Sequence, residues 1–171
     1  MLQLAGLTRA GVIRASIAAG AAWILERTGA GAATGAASPN AGNDVVVKRS
    51  RYGYSETIAR LSKAIADAGI KIFDTVDQTA AAASVGLTLR PTTLLVFGNP
   101  KAGTLFMQAF PLIGLDLPLK LLIFQEGDVV SVAYVPFSAI AARYGITGMD
   151  PQIASIDRAL DTLVSSVAPE S

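Results

Sequence analysis

Two aspartates, Asp74 and Asp77, stand three positions apart where an alternating apolar stretch ends, and Arg90 follows just ahead of the apolar run Thr93–Phe97. Two carboxylates can divide acid and base duties when their surroundings split their pKa values. An arginine can hold a carboxylate or phosphate through two parallel hydrogen bonds. Together they would suit an enzyme acting on a small anionic substrate. The same residues have plainer uses. Asp side chains at strand ends bond nearby backbone N–H groups, and Arg90 could serve as a structural partner for Asp74 or Asp77.

A second constellation is Phe97-Gly98-Asn99-Pro100-Lys101-Ala102-Gly103-Thr104. A strand running into a glycine-flanked turn and then a helix start can aim several backbone N–H groups at an anion, with Lys101 adding charge. The phosphate-loop spacing is missing, since Gly98 and Gly103 are followed by Thr104 rather than by Lys-Ser/Thr. Alternatively, Gly98 and Asn99 supply turn geometry and Thr104 caps the helix. The candidate ligand-binding set is therefore Arg90, Gly98, Asn99, Lys101, Thr104 and Asp77, with no residue assigned as catalytic.

Among 171 residues there is no histidine and no cysteine. Imidazole bases, zinc–sulfur sites, thiolate nucleophiles and disulfides are thus excluded. The expectation is no metal and no cofactor. Fourteen Lys and Arg against 13 Asp and Glu give a formal charge of +1, too little for a field that draws in nucleic acid. The densest basic cluster, Lys48-Arg49-Ser50-Arg51-Tyr52, could contact single strands through charge and stacking. A solvated strand end explains the same residues, and no nucleic-acid partner is expected.

Apolar residues make up 51% of the chain, ample for a core. The β-branched run Val45–Val47 predicts a strand within 44–49. Ser55 can cap a helix carrying Ile58, Leu61, Ile65 and Ala68 at helical spacing, and Gly69 stops it. Ile70–Val76 predicts a strand with Ile70, Ile72 and Asp74 on one face and Lys71, Phe73 and Thr75 on the other. A short helical turn at Ala80–Val85 precedes Thr93–Phe97, whose continuous apolar character suits a strand covered on both faces. Thr104–Phe110 fits two helical turns. Leu119–Gln125 and Val129–Val135 flank Glu126-Gly127-Asp128, a hairpin signal. Phe137–Arg143 follows Pro136 as a helix. Asp150 then caps Pro151 at the first position of a helix with the stripe Ile153, Ile156, Leu160 and Leu163. A mostly antiparallel sheet with segregated helices is an α+β fold.

Residues 1–43 differ in character. Met1–Leu25 is apolar with Arg9 and Arg14, and Gly29–Asn43 is built almost wholly of small residues, as in a flexible linker. Three readings stay open: a surface-seeking amphipathic helix, an export signal within residues 1–38, or an extension without a separate role. Membrane contact is expected only through residues 1–25. The compartment is cytoplasmic, or exported if the signal operates. Residues 44–171 are expected to form one α+β domain.

The stretch Val85-Gly86-Leu87-Thr88-Leu89-Arg90-Pro91-Thr92, then Leu94-Leu95-Val96-Phe97-Gly98-Asn99-Pro100, resembles the signature of the domain of unknown function 302 family. The likeness continues through Lys101-Ala102-Gly103-Thr104 and Asp116-Leu117-Pro118-Leu119-Lys120, and more loosely through Ala141-Ala142-Arg143-Tyr144-Gly145. It implies a β-α-β4-α arrangement similar to TATA-binding-protein-like domains, self-association, and no established activity. Family members typically carry Ile-Asp-His where this chain has Val76-Asp77-Gln78. They tend to place a histidine where Tyr144 stands, and commonly have Tyr-Asn-Asp-Pro where the chain runs Tyr134-Val135-Pro136. Any site built on those groups would lack its imidazoles and one carboxylate here, which argues against catalysis.

The resulting expectation is a non-enzymatic small-ligand-binding or self-association module with a pocket near Arg90, Asn99 and Lys101, a homodimer as its assembly and a small anion as a candidate ligand. The apolar stripe Leu105, Phe106, Met107, Phe110, Leu112, Ile113, Leu115 and Leu117 would line such a pocket, form a dimer contact or join the core. The rivals are an enzyme using Asp74, Asp77 and Arg90, and a membrane-attached accessory protein resting on Met1–Leu25. An enzyme should gather the carboxylates and Arg90 in one cleft. A binding module should disperse them around an apolar cavity or patch.

Overall fold

The structure, a computed structural model, describes residues 44–169. The readings of residues 1–43 lie outside the described residues. Five strands form one sheet: β1 (Val46–Arg49), β2 (Lys71–Asp77), β3 (Thr92–Gly98), β4 (Leu119–Glu126) and β5 (Val129–Tyr134). Their spatial order is β1-β5-β4-β3-β2, and every neighbouring pair is antiparallel. The helices are α1 (Tyr54–Asp67), α2 (Gln78–Ser84), α3 (Pro100–Ala109), α4 (Phe137–Arg143) and α5 (Asp150–Ser165), with a 3-10 turn at Pro111–Leu115 before β4. This is the α+β class expected from the sequence.

The β4–β5 hairpin follows directly from its turn. Glu126 pairs with Val129, and Gly127 adopts φ 56°, a left-handed conformation that costs glycine little. From β3, β4 and β5, alternate residues (Leu95, Phe97, Leu121, Ile123, Val130, Val132 and Tyr134) enter the core. They meet Leu61 and Ile65 of α1, Phe106 of α3, Phe137 and Ile140 of α4, and Ile153, Leu160, Leu163 and Val164 of α5. Helix α2 buries no residue. All helices that contribute to the core therefore serve one face of the sheet.

Several sequence expectations are corrected. Strand β3 is not covered on both faces: Thr93, Leu95 and Phe97 are buried, while Leu94 and Val96 stay half-buried outside the core cluster. An apolar run reads alike whether its second face meets helices or nothing. In β2 the simple alternation fails, because the register with β3 slips between Ile72 and Asp74 and leaves Phe73 as an extra, bulged residue. Ser55 does not cap α1; Gly53 occupies that position without a side-chain bond. Asp150 is the first residue of α5, not its cap. Thr104 sits inside α3, which starts at Pro100 behind an Asn99 cap.

Two members of the basic cluster, Lys48 and Tyr52, make contacts within the domain. The Lys48 ammonium contacts Asp161 of α5, and the Arg60 guanidinium lies 3.9 Å from the centroid of the Tyr52 ring. Ser50 is buried, its hydroxyl 2.7 Å from that of the fully buried Thr57 and 3.3 Å from the Val167 carbonyl that accepts from it. This polar knot ties the β1–α1 turn to the end of α5 and leaves no buried side-chain donor or acceptor unpaired among the described residues.

Tyr54 forms a similar tie, with its hydroxyl 2.7 Å from that of Thr93. Burial raises the pKa of this phenol above its ordinary value of 10.0; nearby Asp77 adds to the rise, and the Thr93 hydrogen bond works against it. The neutral form is thus favoured in the folded state. Its contribution to stability is complete below the unfolded pKa and is lost as pH rises through the folded one. Thermal unfolding should accordingly show a Tm that falls above pH ~10, and Tyr54→Phe should show a smaller fall over the same range. An identical fall in both proteins would contradict this.

Candidate functional site

An apolar cleft of about 610 Å³ opens between α3, α5 and the adjoining ends of β2, β3 and β4. Its floor is core: Phe97, Phe106, Phe137, Leu160 and Leu163. Phe106 and Phe137 meet edge-to-face with ring centroids 4.8 Å apart at 75°, a favoured aromatic geometry. Ile70 and the bulged Phe73 form one side; the slipped β2 register is what frees Phe73 for this position. Met107, Leu117, Pro118 and Leu119 form another, and Ile156 and Ala159 line it from α5. Polar character enters only through Asn99, Thr104 and Ser155, since no charged residue lines the cleft.

Glycines at 98 and 103 keep this space open. A methyl group on Gly98 would lie 3.6 Å from Pro118 Cβ and 3.8 Å from Phe73 Cε2; one on Gly103 would lie 3.9 Å from Leu117 Cδ1. These are ordinary contacts, so glycine here leaves volume unfilled rather than relieving a clash.

Three of the sequence candidates, Gly98, Asn99 and Thr104, line the cleft. The Asn99 carboxamide oxygen accepts from Lys101 N at 2.9 Å and Ala102 N at 3.3 Å, so the first free N–H groups of α3 are already engaged by the helix cap. Lys101 is exposed and outside the cleft lining. Arg90 is not brought there either. It pairs with Glu126, a partner delivered when Gln125 N donates to the Pro91 carbonyl at 3.0 Å. The expected pairing of Arg90 with Asp74 or Asp77 is not present.

The two carboxylates are separated. Asp74 stands opposite Val96 and Asp77 opposite Thr93, positions that alternate to opposite faces of β3. Asp77 caps α2, its Oδ1 accepting from Ala80 N at 2.8 Å, and Asp74 Oδ1 accepts from Thr75 N at 2.8 Å. Both perform the local backbone service open to such residues. Elsewhere, Asp116 Oδ2 accepts from the Tyr144 hydroxyl at 2.8 Å and from Arg143 at 2.9 Å, fastening α4 to the turn before β4. The bond to Asp116, followed by burial, raises the Tyr144 pKa. Among the described residues no group of three or more acidic side chains could hold a metal ion.

Sequence reasoning missed Phe73, Ile70 and Ala159. Nothing local marks them, because the bulge and the placement of α5 along the cleft are long-range outcomes. Met107 and Leu117 belonged to the apolar stripe already singled out. The structure divides that stripe: Phe106 and Ile113 are buried, Met107 and Leu117 line the cleft, and Leu105, Leu112 and Leu115 are exposed.

An antiparallel five-stranded sheet, helices packed on one face, and an apolar cleft at the sheet's end define an α+β fold with a preformed small-molecule-sized cavity. The chain belongs to the family described as Domain of unknown function DUF302, whose model matches residues 46–163. The crystal structure of an uncharacterized conserved protein DUF302 from Bacillus stearothermophilus superimposes with a TM-score of 0.68 at 20% identity, covering 73% of this chain and 98% of that one. The chain is also similar to proteins named Fluoride-specific ion channel FluC 1 from Brucella suis biovar 1 (strain 1330) and Brucella abortus biovar 1 (strain 9-941). Each is 42% identical over 84 residues, 49% of this chain. Those stretches are 33% and 31% of the two relatives, so the chain spans about a third of their length.

Proposed function

We propose that this protein is a non-enzymatic binding module whose cleft takes a small, uncharged, largely apolar molecule. The observation that carries the reading is the pairing of a cavity of about 610 Å³ that no charged residue lines with the dispersal of Asp74, Asp77 and Arg90 over separate elements and faces. Small-molecule sites typically measure ~300–1,000 Å³, with apolar walls and a few polar groups that fix orientation. The hydroxyls of Thr104 and Ser155 are suited to that orienting role. An anion would enter a cleft with no charged lining, and the N–H groups nearest to it are occupied by Asn99. An enzyme of the Asp74, Asp77 and Arg90 kind would need side chains that stand on different elements and faces to converge.

Fluoride conduction is not carried over from the Brucella relatives. The shared stretch is about a third of those proteins, and among the described residues no helix is long and apolar enough to cross a membrane.

A thermal-shift panel on the full chain tests the reading. Uncharged aromatic and isoprenoid compounds are compared with inorganic phosphate and a nucleoside monophosphate. A ligand at a hundredfold excess over its Kd stabilises the native state by about 2.7 kcal/mol. We expect a concentration-dependent rise in Tm with members of the apolar set and none with the anions. The reverse pattern would return the site to the anion reading built on Arg90 and Lys101.

A further inference from the structure

We propose that the sheet face turned away from the helices docks on the same face of a second copy of this chain. The strand registers align a row of apolar residues straight across the sheet on that face: Val47, Ala133, Leu122, Leu94 and Val76, one from each strand. Ala133 is itself buried, whereas Val47 is exposed and Leu122, Leu94 and Val76 are half-buried, and none of the five belongs to the core cluster under the helices or to the residues packed against it. A face built only to meet water would alternate to polar residues here, since an antiparallel sheet with one solvated side normally reads apolar-in and polar-out. A patch of this kind marks an interaction surface.

The charges on the face say what covers it. Five charged residues share it: Arg49, Lys71, Asp74, Lys120 and Glu126, of which Glu126 pairs with Arg90 and the Lys71 ammonium lies 4.9 Å from the centroid of the Phe73 ring. The Lys120 ammonium donates to the carbonyls of Asp116 and Pro118, both at 3.0 Å, which draws it off toward the start of β4. Arg49 and Asp74 remain. They lie on the two edge strands, one residue row above and one below the apolar row, at diagonally opposite corners with Leu122 midway between them. A two-fold axis in the plane of the face, passing through Leu122 across that diagonal, sets Arg49 of each copy over Asp74 of the other. The surface is thus self-complementary in charge, and the two Leu122 side chains meet on the axis. Symmetric pairing of this sort is the commonest route to a homo-oligomer, and the strands of the two sheets would cross steeply, as in orthogonal sheet packing.

The test is a charge-swap series on the full chain, followed by sedimentation equilibrium. The unmodified chain is expected to be a dimer. Arg49→Asp and Asp74→Arg, each alone, should weaken dimerisation by roughly tenfold or more through like-charge contacts, whereas the double variant should recover most of the loss. Leu122→Lys should abolish the dimer, with circular dichroism and Tm confirming that the variant monomer is folded. If Leu122→Lys does not fold, the swap series still decides. A chain that sediments as a monomer at all concentrations overturns the proposal, as would follow if residues 1–43 of the same chain covered the face. So does a dimer that is indifferent to both single swaps, or one that the double swap fails to restore.

Discussion

Phe137→Ala is expected to destabilise the protein by about 3–5 kcal/mol, the range found when a buried phenylalanine is truncated and its cavity does not collapse. The site offers little means of collapse. Phe137 is 1% exposed, stacked edge-on against Phe106, and set at the first position of α4, whose N–H groups are held by a carboxylate from another helix. Asp157 Oδ1 accepts from Phe137 N at 2.6 Å, and both carboxylate oxygens accept from Ser138 N, at 3.3 and 3.2 Å. With Pro136 preceding it and no side-chain cap of its own, α4 relies on α5 for that service. The backbone around Phe137 is therefore fixed from outside and cannot move in to fill a vacated ring. Urea unfolding should show the loss as a lower midpoint with an unchanged slope. Phe137→Leu, which keeps most of the volume, should cost no more than about 1.5 kcal/mol. A loss below ~1 kcal/mol for alanine, within the range of ordinary surface changes, would mean that the floor of the cleft is looser than this geometry implies.

The second large effect concerns the cleft itself, and the way its parts are specified explains why it was only half legible in the sequence. Local chemistry gave clear signals: Glu126-Gly127-Asp128 for the hairpin, Pro136 ahead of α4, and the Ile153, Leu160, Leu163 stripe of α5. One readable signal was misplaced. Asn99-Pro100 is a cap followed by proline at the first helical position, so it marks the start of α3 at Pro100 and makes Thr104 an interior residue. Other features depend on partners far along the chain. The bulge at Phe73 exists only because β2 must register with β3 at both ends, and no composition cue within Lys71–Asp77 announces it. Arg90 could be expected to seek a carboxylate, but the identity of Glu126 followed from the pairing of Pro91 with Gln125. The apolar run Leu94–Phe97 could not say that one of its faces would be left without helices.

What the missing imidazoles and thiols did convey has a physical counterpart in the site. The walls are made of Phe, Met, Leu, Ile and Ala, and each carboxylate discussed is committed to a helix cap, a turn or an ion pair. On the proposed reading, such a surface would hold a ligand by excluding water from apolar area, about 25 cal/mol per Å² removed, with the Thr104 and Ser155 hydroxyls orienting it. The cleft is filled from one side most simply at Ala159, which is exposed on α5 and lines the cavity, so that a larger side chain there can enter the cleft without displacing the core.

The most direct measurement is therefore fluorescence titration of the full chain with N-phenyl-1-naphthylamine, an uncharged apolar probe, beside Ala159→Trp and a control Ala81→Trp on exposed α2 outside the cleft lining. Saturable binding by the unmodified chain and the control, with affinity weakened at least ~10-fold by Ala159→Trp, corresponds to the ~1.4 kcal/mol or more expected when apolar contact is blocked. Equal binding by all three proteins, or no saturable binding to any, would contradict a ligand-holding cleft.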